Sequence, residues 1–380
     1  MPRLKWIAII LGLTMALALP GHASASKELR DGIARIAKEI LANTKDQPVS
    51  VGQFTPTNLP ASNAGVGLEQ LLRLELEALH RGIVQANALY EVKGDYSLVS
   101  SETTPGLKEI KILARLIQTE SGDELVRLRS QIRLTGTSTI AELIQLTASL
   151  PPSGTKEQRN KEIQQRLRNP LVFVHGPNQT LISSGQGSPY AVELLVKPLR
   201  DAAREATPRS ARIETGQAFV EIQKDELYEV RVYNNSGRPV AVALTVDGLD
   251  VFHFSQDRKP DGRPRFTHFI VSPKGSQDNP DGTYEIVGWH HTVDPRASDN
   301  YLSFLVTEYG KGAVSRAGVA SRGQVGVIHV QFAECSPLTE GAHPRGGTET
   351  GFGPPRKVTQ TAVRYQVEPP HDFVSIRYNR

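Results

Sequence analysis

The chain has 380 residues, which is enough for two domains and connecting segments. Its 44 Lys and Arg exceed its 40 Asp and Glu by only four, and no stretch keeps one sign of charge long enough to neutralise several phosphates. This distribution argues against nucleic acid as a partner. Cys335 is the only cysteine, so the chain forms no internal disulfide and its stability must come from a buried core.

The first 25 residues have the pattern of a secretory signal peptide. Arg3 and Lys5 precede an apolar run over residues 6–19, and residues 23–25 match the small-x-small cleavage pattern. The run is shorter than the roughly 20 residues that a membrane-spanning helix needs. We therefore expect a periplasmic or extracellular protein with no membrane span after cleavage; the alternative is a retained N-terminal anchor.

Residues 26–150 alternate helical and strand patterns, which predicts an α+β domain resembling an α/β sandwich. Apolar residues at helical spacing predict helices over residues 27–43 and 65–81. The second helix has an apolar stripe that we interpret as a packing face: Leu68, Leu71, Leu72, Leu76 and Leu79. The remaining predicted elements are strands over residues 48–54, 90–99, 109–119 and 124–134 and a third helix over residues 140–149.

Short fragments of this domain resemble a known family. Gly94-Asp95-Tyr96 lies in the second predicted strand, and Ala114-Arg115-Leu116 in the third precedes the turn at Ser121-Gly122. With the order of helices and strands, these fragments make residues 27–150 similar to the soluble domain of the CsgG/FlgO type, found in curli-assembly and flagellar-associated outer-membrane proteins. The resemblance implies a non-enzymatic envelope component, and several members of the group are lipid-anchored or form pores.

Residues 151–189 are predicted to link the domains. A Pro-Pro-Ser-Gly stretch ends the first domain, and residues 156–168 favour a helix that is polar nearly all round. Such a helix usually bridges domains in solvent; the alternative is a docking helix for an acidic partner.

Residues 190–380 predict a mainly antiparallel β-sandwich domain. Alternation over residues 228–254 predicts three consecutive strands, and Asp247-Gly248 provides the positive φ angles of a two-residue hairpin turn. This stretch, Tyr284 to Trp289 and Gly326-Val327-Ile328 resemble a recurrent, uncharacterised β-rich module of secreted and periplasmic bacterial proteins. That resemblance implies a compact β domain without a stated activity.

Candidate site residues cluster in the β domain, and they are Asp247, Asp250, His253, His268, Trp289, His290 and His291. Imidazole and carboxylate groups are common ligands of zinc or iron, but no His-x-His or His-Glu-x-x-His spacing occurs. Asp247 also has a structural interpretation as the turn residue, and Trp289 has one as a core aromatic. The sequence therefore predicts no cofactor, no metal and no catalytic set, and these residues remain binding candidates.

We expect a non-catalytic cell-envelope protein that acts in assembly or protein interaction, either with an envelope partner or by self-association. Two alternatives stay open. One is a metal-dependent hydrolase that uses Asp247, Asp250 and the histidines. The other is a glycan-binding module, which would need exposed, coplanar aromatic rings that include Tyr228, Tyr233 or Tyr284. The loops over residues 255–265 and 273–283 are long enough to carry recognition in any of these cases.

Overall fold

The computed structural model describes residues 27–59, 64–102, 108–128, 131–134, 137–260, 262–294, 296–297, 299–308, 311–317, 326–337, 355–356 and 362–378. The predicted signal peptide over residues 1–25 lies outside this part of the chain. The described residues form a mostly β protein of the α+β class, as the sequence predicted. Among them, no helix combines the length and apolar character that crossing a membrane requires.

The N-terminal domain packs helices on a five-stranded sheet. The helices in chain order are α1 (Lys27–Thr44), α2 (Gly65–Leu79), α3 (Thr137–Ile144), α4 (Lys156–Arg168) and, in the β domain, α5 (Ala313–Arg316). The strands of the N-terminal sheet are Val49–Pro56, Tyr90–Ser100, Lys108–Gln118, Glu124–Arg127 and Ile132–Leu134. The first two strands pair in parallel because α2 connects them, and the other pairs are antiparallel.

The leucines of α2 do not form a single stripe. Leu68, Leu72 and Leu76 are buried in the core of the N-terminal domain, as predicted. Leu79 is 43% exposed, which corrects its assignment to the packing face, and Leu74 is 37% exposed. Residues 71, 74 and 78 follow helical spacing on a second face of α2. Leu71 is half-buried against the same core and residues 74 and 78 are exposed, so this second apolar face starts at the core and extends out of it.

The β domain is a sandwich of two nine-stranded sheets within the described residues. The first sandwich sheet contains Phe173–His175, Leu181–Ser183, Tyr190–Pro198, Thr207–Pro208, Glu226–Asn234, Thr283–Ile286, Gly288–His290, Tyr301–Leu305 and Pro355–Arg356. The second sandwich sheet contains Ala148–Ser149, Ala211–Glu214, Gln217–Val220, Val240–Val246, Leu249–Asp250, Phe269–Val271, Val327–Pro337, Tyr365–Val367 and Asp372–Arg377. One apolar core joins the two sheets, and Tyr190 of the first stacks on Phe332 of the second at 4.8 Å between ring centroids.

Residues 228–254 do not form the predicted three-stranded meander. Glu226–Asn234 belongs to the first sandwich sheet and Val240–Val246 to the second, so the intervening turn carries the chain across the core. Asn234 holds this corner, because its amide Nδ2 donates to the carbonyls of Arg238 (2.7 Å) and Val271 (2.8 Å). Both strands alternate in sequence, and alternation does not specify which sheet a strand joins.

The predicted linker is only partly a linker. Helix α4 begins and ends where the sequence indicated, but its Ile163 is buried in the core of the N-terminal domain. The two strands between residues 173 and 183 pair with Tyr190–Pro198, so they belong to the sandwich. Burial of Ile163 attaches to the core a helix whose sequence is mostly polar.

The domains share a continuous interface. Strand Ala148–Ser149 follows α3 and pairs with Asp372–Arg377, which extends the second sandwich sheet toward the N-terminal domain. Phe373 is fully buried among N-terminal core residues. At α2, a Cβ atom on Gly67 would lie 2.9 Å from the carbonyl oxygen of Gly248, so this glycine lets the helix approach the Asp247-Gly248 hairpin closely.

Candidate functional site

The Asp247-Gly248 hairpin forms as predicted, and it makes Asp247 a structural residue. Asp247 and Gly248 have φ angles of 53° and 80°, and Val246 pairs with Leu249 across the turn. The Asp247 carboxylate accepts hydrogen bonds from the backbone N–H of Gly326 (2.6 Å) and from the Tyr378 hydroxyl (2.6 Å). Burial raises the pKa of Asp247, and these donors oppose the shift. The carboxylate therefore ties the hairpin to two other segments.

Asp250 ends the strand that the sequence extended to residue 254. Its Oδ1 accepts a hydrogen bond from the backbone N–H of Phe252 at 2.7 Å, and its carbonyl accepts one from the backbone N–H of His253. These two hydrogen bonds turn the chain away from the strand. Burial raises the pKa of Asp250 to about 7, while the Phe252 N–H opposes the shift. This carboxyl group lies beside a pocket between the domains.

The pocket, which we call the inner pocket, lies between α2 and the second sandwich sheet. It has a volume of about 80 Å³. Five polar side chains line it together with leucines of both domains: Gln70, Thr245, Asp250, His253 and His329. The Gln70 amide Nε2 lies 3.4 Å from His253 Nε2. Burial, with a smaller contribution from the Arg258 charge, lowers the pKa of His253 to about 4, so its ring is neutral at physiological pH.

A larger space, which we call the outer cleft, adjoins the inner pocket. It has a volume of about 620 Å³, and Leu71, Leu74, Asp250 and Pro264 line both spaces. The second apolar face of α2 forms one wall. The opposite wall is formed by residues 259, 260 and 262–264 of the loop over residues 255–265, which the sequence predicted to carry recognition and which we call the recognition loop.

Hydrogen bonds within the recognition loop hold this wall in place. Asp257 Oδ2 accepts from the backbone N–H of Val293 at 2.8 Å, and Arg265 N–H donates to the Asp257 carbonyl. Arg258 Nη1 donates to the carbonyl of Gly262 at 2.9 Å. The outer cleft is therefore formed before a ligand arrives, which lowers the entropy lost on binding.

The outer cleft has more free positive than negative charge. Glu75 pairs with Arg263 at 2.8 Å, and the Glu77 carboxylate accepts from the backbone N–H groups of Gly82 (2.8 Å) and Val84 (2.9 Å). Arg81 and Lys259 also line the cleft, are exposed, and make no ion pair with any described residue. The arrangement can attract an anionic group to an apolar floor.

The other predicted site residues lie elsewhere. Trp289 is 5% exposed and packs edge-on against Phe254 and Phe304, as expected of a core aromatic. His290 Nδ1 lies 3.1 Å from Ser255 Oγ, and burial, followed by the neighbouring His291, lowers the pKa of His290 to about 3.

The remaining two histidines are also apart from the inner pocket. His291 Nδ1 lies 3.1 Å from Asp299 Oδ1, and both side chains are buried. His268 lines a separate cleft of about 420 Å³. Of the seven residues singled out in the sequence, only Asp250 and His253 line the inner pocket.

Neither alternative function gains support from these positions. In the part of the chain that the structure describes, no three His, Cys, Asp or Glu side chains are grouped so that they could hold a metal ion. The glycan alternative needed exposed tyrosines, but Tyr228 is buried on Phe304, Tyr233 donates to Glu193 (2.7 Å), and Tyr284 packs against Phe269. These three rings form no exposed platform.

Sequence reasoning missed Gln70, His329 and the cationic edge of the outer cleft. Gln70 looked like an ordinary polar residue of an amphipathic helix, and no signal marked it. His329 had a signal, because it is a histidine within the apolar strand Val327–Pro337. Polar residues inside buried strands deserve inspection, since each needs a partner or a ligand.

Comparison of the chain with protein-family models, with curated proteins and with solved structures found no match.

Proposed function

We propose that this protein is a non-catalytic, secreted or periplasmic envelope protein that acts by binding a partner protein, and that the partner binds as a segment in the outer cleft. The observation that carries the proposal is the second apolar face of α2. Leu71 and Leu74 face the outer cleft, although α2 already buries a full apolar face in its own domain. Two leucines side by side in a preformed cleft of about 620 Å³ give it an apolar wall, and a cleft with apolar walls and a few charged groups is typical of a binding site.

Charge indicates the chemistry of the segment. The two glutamates that line the cleft are engaged within the protein, whereas Arg81 and Lys259 have no ion-pair partner among the described residues. A segment with acidic and apolar side chains complements both features. Secretion and an envelope location are supported by the sequence pattern of residues 1–25 alone.

A random peptide library displayed on phage would test this proposal. We expect the full chain to enrich peptides that combine Asp or Glu with apolar residues. Reversing both cleft charges, Arg81→Glu with Lys259→Glu, should weaken the enriched peptides roughly tenfold, because two exposed charge contacts contribute about 0.5–1 kcal/mol each. The loss should shrink in high salt.

The matched control is Arg204→Glu with Lys274→Glu, which makes the same charge change at exposed residues outside the cleft. This control should bind the enriched peptides like the unmodified protein. Peptides without acidic bias, or equal weakening by the two double variants, would overturn the proposed site.

A further inference from the structure

The inner pocket contains two hydrogen-bond acceptors without partners. Gln70 Oε1 and His329 Nε2 are both buried, and neither meets a donor among the described residues. Both side chains line the pocket. A buried acceptor without a donor destabilises the fold, so two of them in one pocket point to a bound group that donates to both.

The contact that His329 makes through Nδ1 indicates which of its two ring nitrogens carries the proton. Ser375 Oγ donates its single proton to the carbonyl of Leu146 at 3.2 Å. Both contacts of Ser375 Oγ are hydrogen bonds only when His329 carries its proton on Nδ1, which then donates to Oγ at 2.7 Å, and we assign that tautomer to His329. Burial lowers the pKa of His329 to about 3, so the ring is neutral and Nε2 carries a lone pair. His329 is 2% exposed.

Gln70 presents the second acceptor. Its amide nitrogen faces His253 Nε2, which leaves the amide oxygen as the group without a partner. The two acceptors belong to opposite domains, one on α2 and one on the second sandwich sheet, so a ligand that satisfies both needs two N–H donors.

The volume limits the group to a few heavy atoms. A water molecule needs about 10–15 Å³ of volume open to its centre, so the volume of about 80 Å³ accommodates a small group of a few heavy atoms. Leu29, Leu68 and Leu143 form apolar walls around the polar groups, and the shared lining with the outer cleft gives the group a way in. A primary carboxamide has this size and provides two donors.

We propose that the inner pocket binds a primary carboxamide, which donates its two N–H groups to His329 Nε2 and Gln70 Oε1. The inference rests on the proposed function: in the bound segment, an asparagine or glutamine side chain would carry the carboxamide, beside the acidic and apolar residues that occupy the outer cleft. Asp250 lines the same pocket and, with a pKa of about 7, holds a proton on a substantial fraction of molecules that it can donate to the amide oxygen.

The probe for this site is acetamide, and its matched control is acetone, which has similar size and a carbonyl but no N–H donor. The full chain, labelled with ¹⁵N at histidine, would be titrated with each compound. We expect the Nε2 resonance of His329 to shift to lower frequency with acetamide, as that nitrogen accepts a hydrogen bond, and to stay in place with acetone.

Two substitutions distinguish acetamide binding in the inner pocket from a general effect of acetamide on the solvent. Gln70→Leu should weaken acetamide binding by roughly tenfold, since it removes one hydrogen bond. Gln165→Leu makes the same change at an exposed position of α4 and should leave binding unchanged. Circular dichroism of both variants checks that each one folds.

Equal shifts with acetone, or no shift with acetamide, would mean that the pocket holds only water and would overturn this inference. That result leaves the phage experiment unaffected, because the latter reads the charges of the outer cleft. If the cleft charge reversals do not weaken the enriched peptides but acetamide binds, the proposed acidic partner would be wrong and the carboxamide site would stand.

Discussion

The interface between the two domains is closed in one part and open in another. In the closed part, Leu150 N–H donates to His371 O, strand Ala148–Ser149 pairs with Asp372–Arg377, and Phe373 fills the core of the N-terminal domain. In the open part, α2 and the loop over residues 255–265 are joined by the Glu75–Arg263 ion pair but leave the outer cleft between them, and two buried acceptors meet no donor among the described residues. Backbone pairing and core packing in the closed part hold the domains together, which leaves the open part available for binding.

The largest expected effect comes from breaking the closed part. Phe373→Ala removes a fully buried ring from the N-terminal core and should lower the free energy of unfolding by about 3–5 kcal/mol. Urea denaturation measures this loss. Trp289→Ala, a similar truncation in the core of the sandwich, should destabilise by a similar amount, but only Phe373→Ala should speed proteolysis between the domains. Equal cleavage of both variants would argue that Phe373 does not couple the domains.

The next effect concerns the hairpin on which α2 rests. Tyr378→Phe removes the hydroxyl that donates to the Asp247 carboxylate, and a hydrogen bond to a charged group contributes about 1.5–3 kcal/mol. We expect a loss in that range by urea denaturation. Tyr365→Phe, a change at a partly exposed tyrosine, is the control and should have little effect. A stability equal to that of the unmodified protein would show that the Asp247 clamp does not support the hairpin.

The third prediction concerns Asp250, which lines the open part of the interface, and the dependence of stability on pH. Its pKa in the folded protein is about 7, above the ordinary value of 3.8. The proton on Asp250 therefore contributes to the free energy of unfolding in full below pH 4, and this contribution is lost as pH rises through 7. Asp250→Asn removes this pH dependence. Between pH 5 and pH 8, the free energy of unfolding of the variant should therefore rise by about 1–2 kcal/mol relative to that of the unmodified protein, a range that allows for the partial exposure of Asp250. A constant difference between the two proteins would contradict the assignment.

The smallest effect concerns the contact between α2 and the hairpin. Alanine usually stabilises a helix by about 1 kcal/mol relative to glycine. At Gly67 the new methyl group would meet the Gly248 carbonyl, so we expect Gly67→Ala to destabilise by about 1 kcal/mol and to weaken peptide binding in the outer cleft. An increase in the melting temperature would mean that α2 has freedom to move at this point.

The local elements of the fold could be predicted because they depend on local patterns. Helical spacing located α1 and α2 closely, helical propensity located α4, and Asp247-Gly248 fixed its hairpin. The third helix, predicted over residues 140–149, is Thr137–Ile144 instead, because Ala148–Ser149 pairs with a strand of the sandwich. The candidate site could be predicted only in part. Asp250 and His253 were singled out as titratable residues in one stretch, but Gln70 and His329 are 259 positions apart, and nothing in either local pattern places them in one pocket.

The amino-acid sequence by itself determined the α+β class, the helices and the turn residues, because φ preferences and apolar periodicity act over a few residues. Only the tertiary structure decided which sheet each strand joins and which face of α2 stays uncovered, and it also decided that Asp247 is used for structure while Asp250 faces a pocket. Those outcomes depend on contacts between distant segments. Burial and hydrogen-bond satisfaction set them, and both are properties of the packed chain.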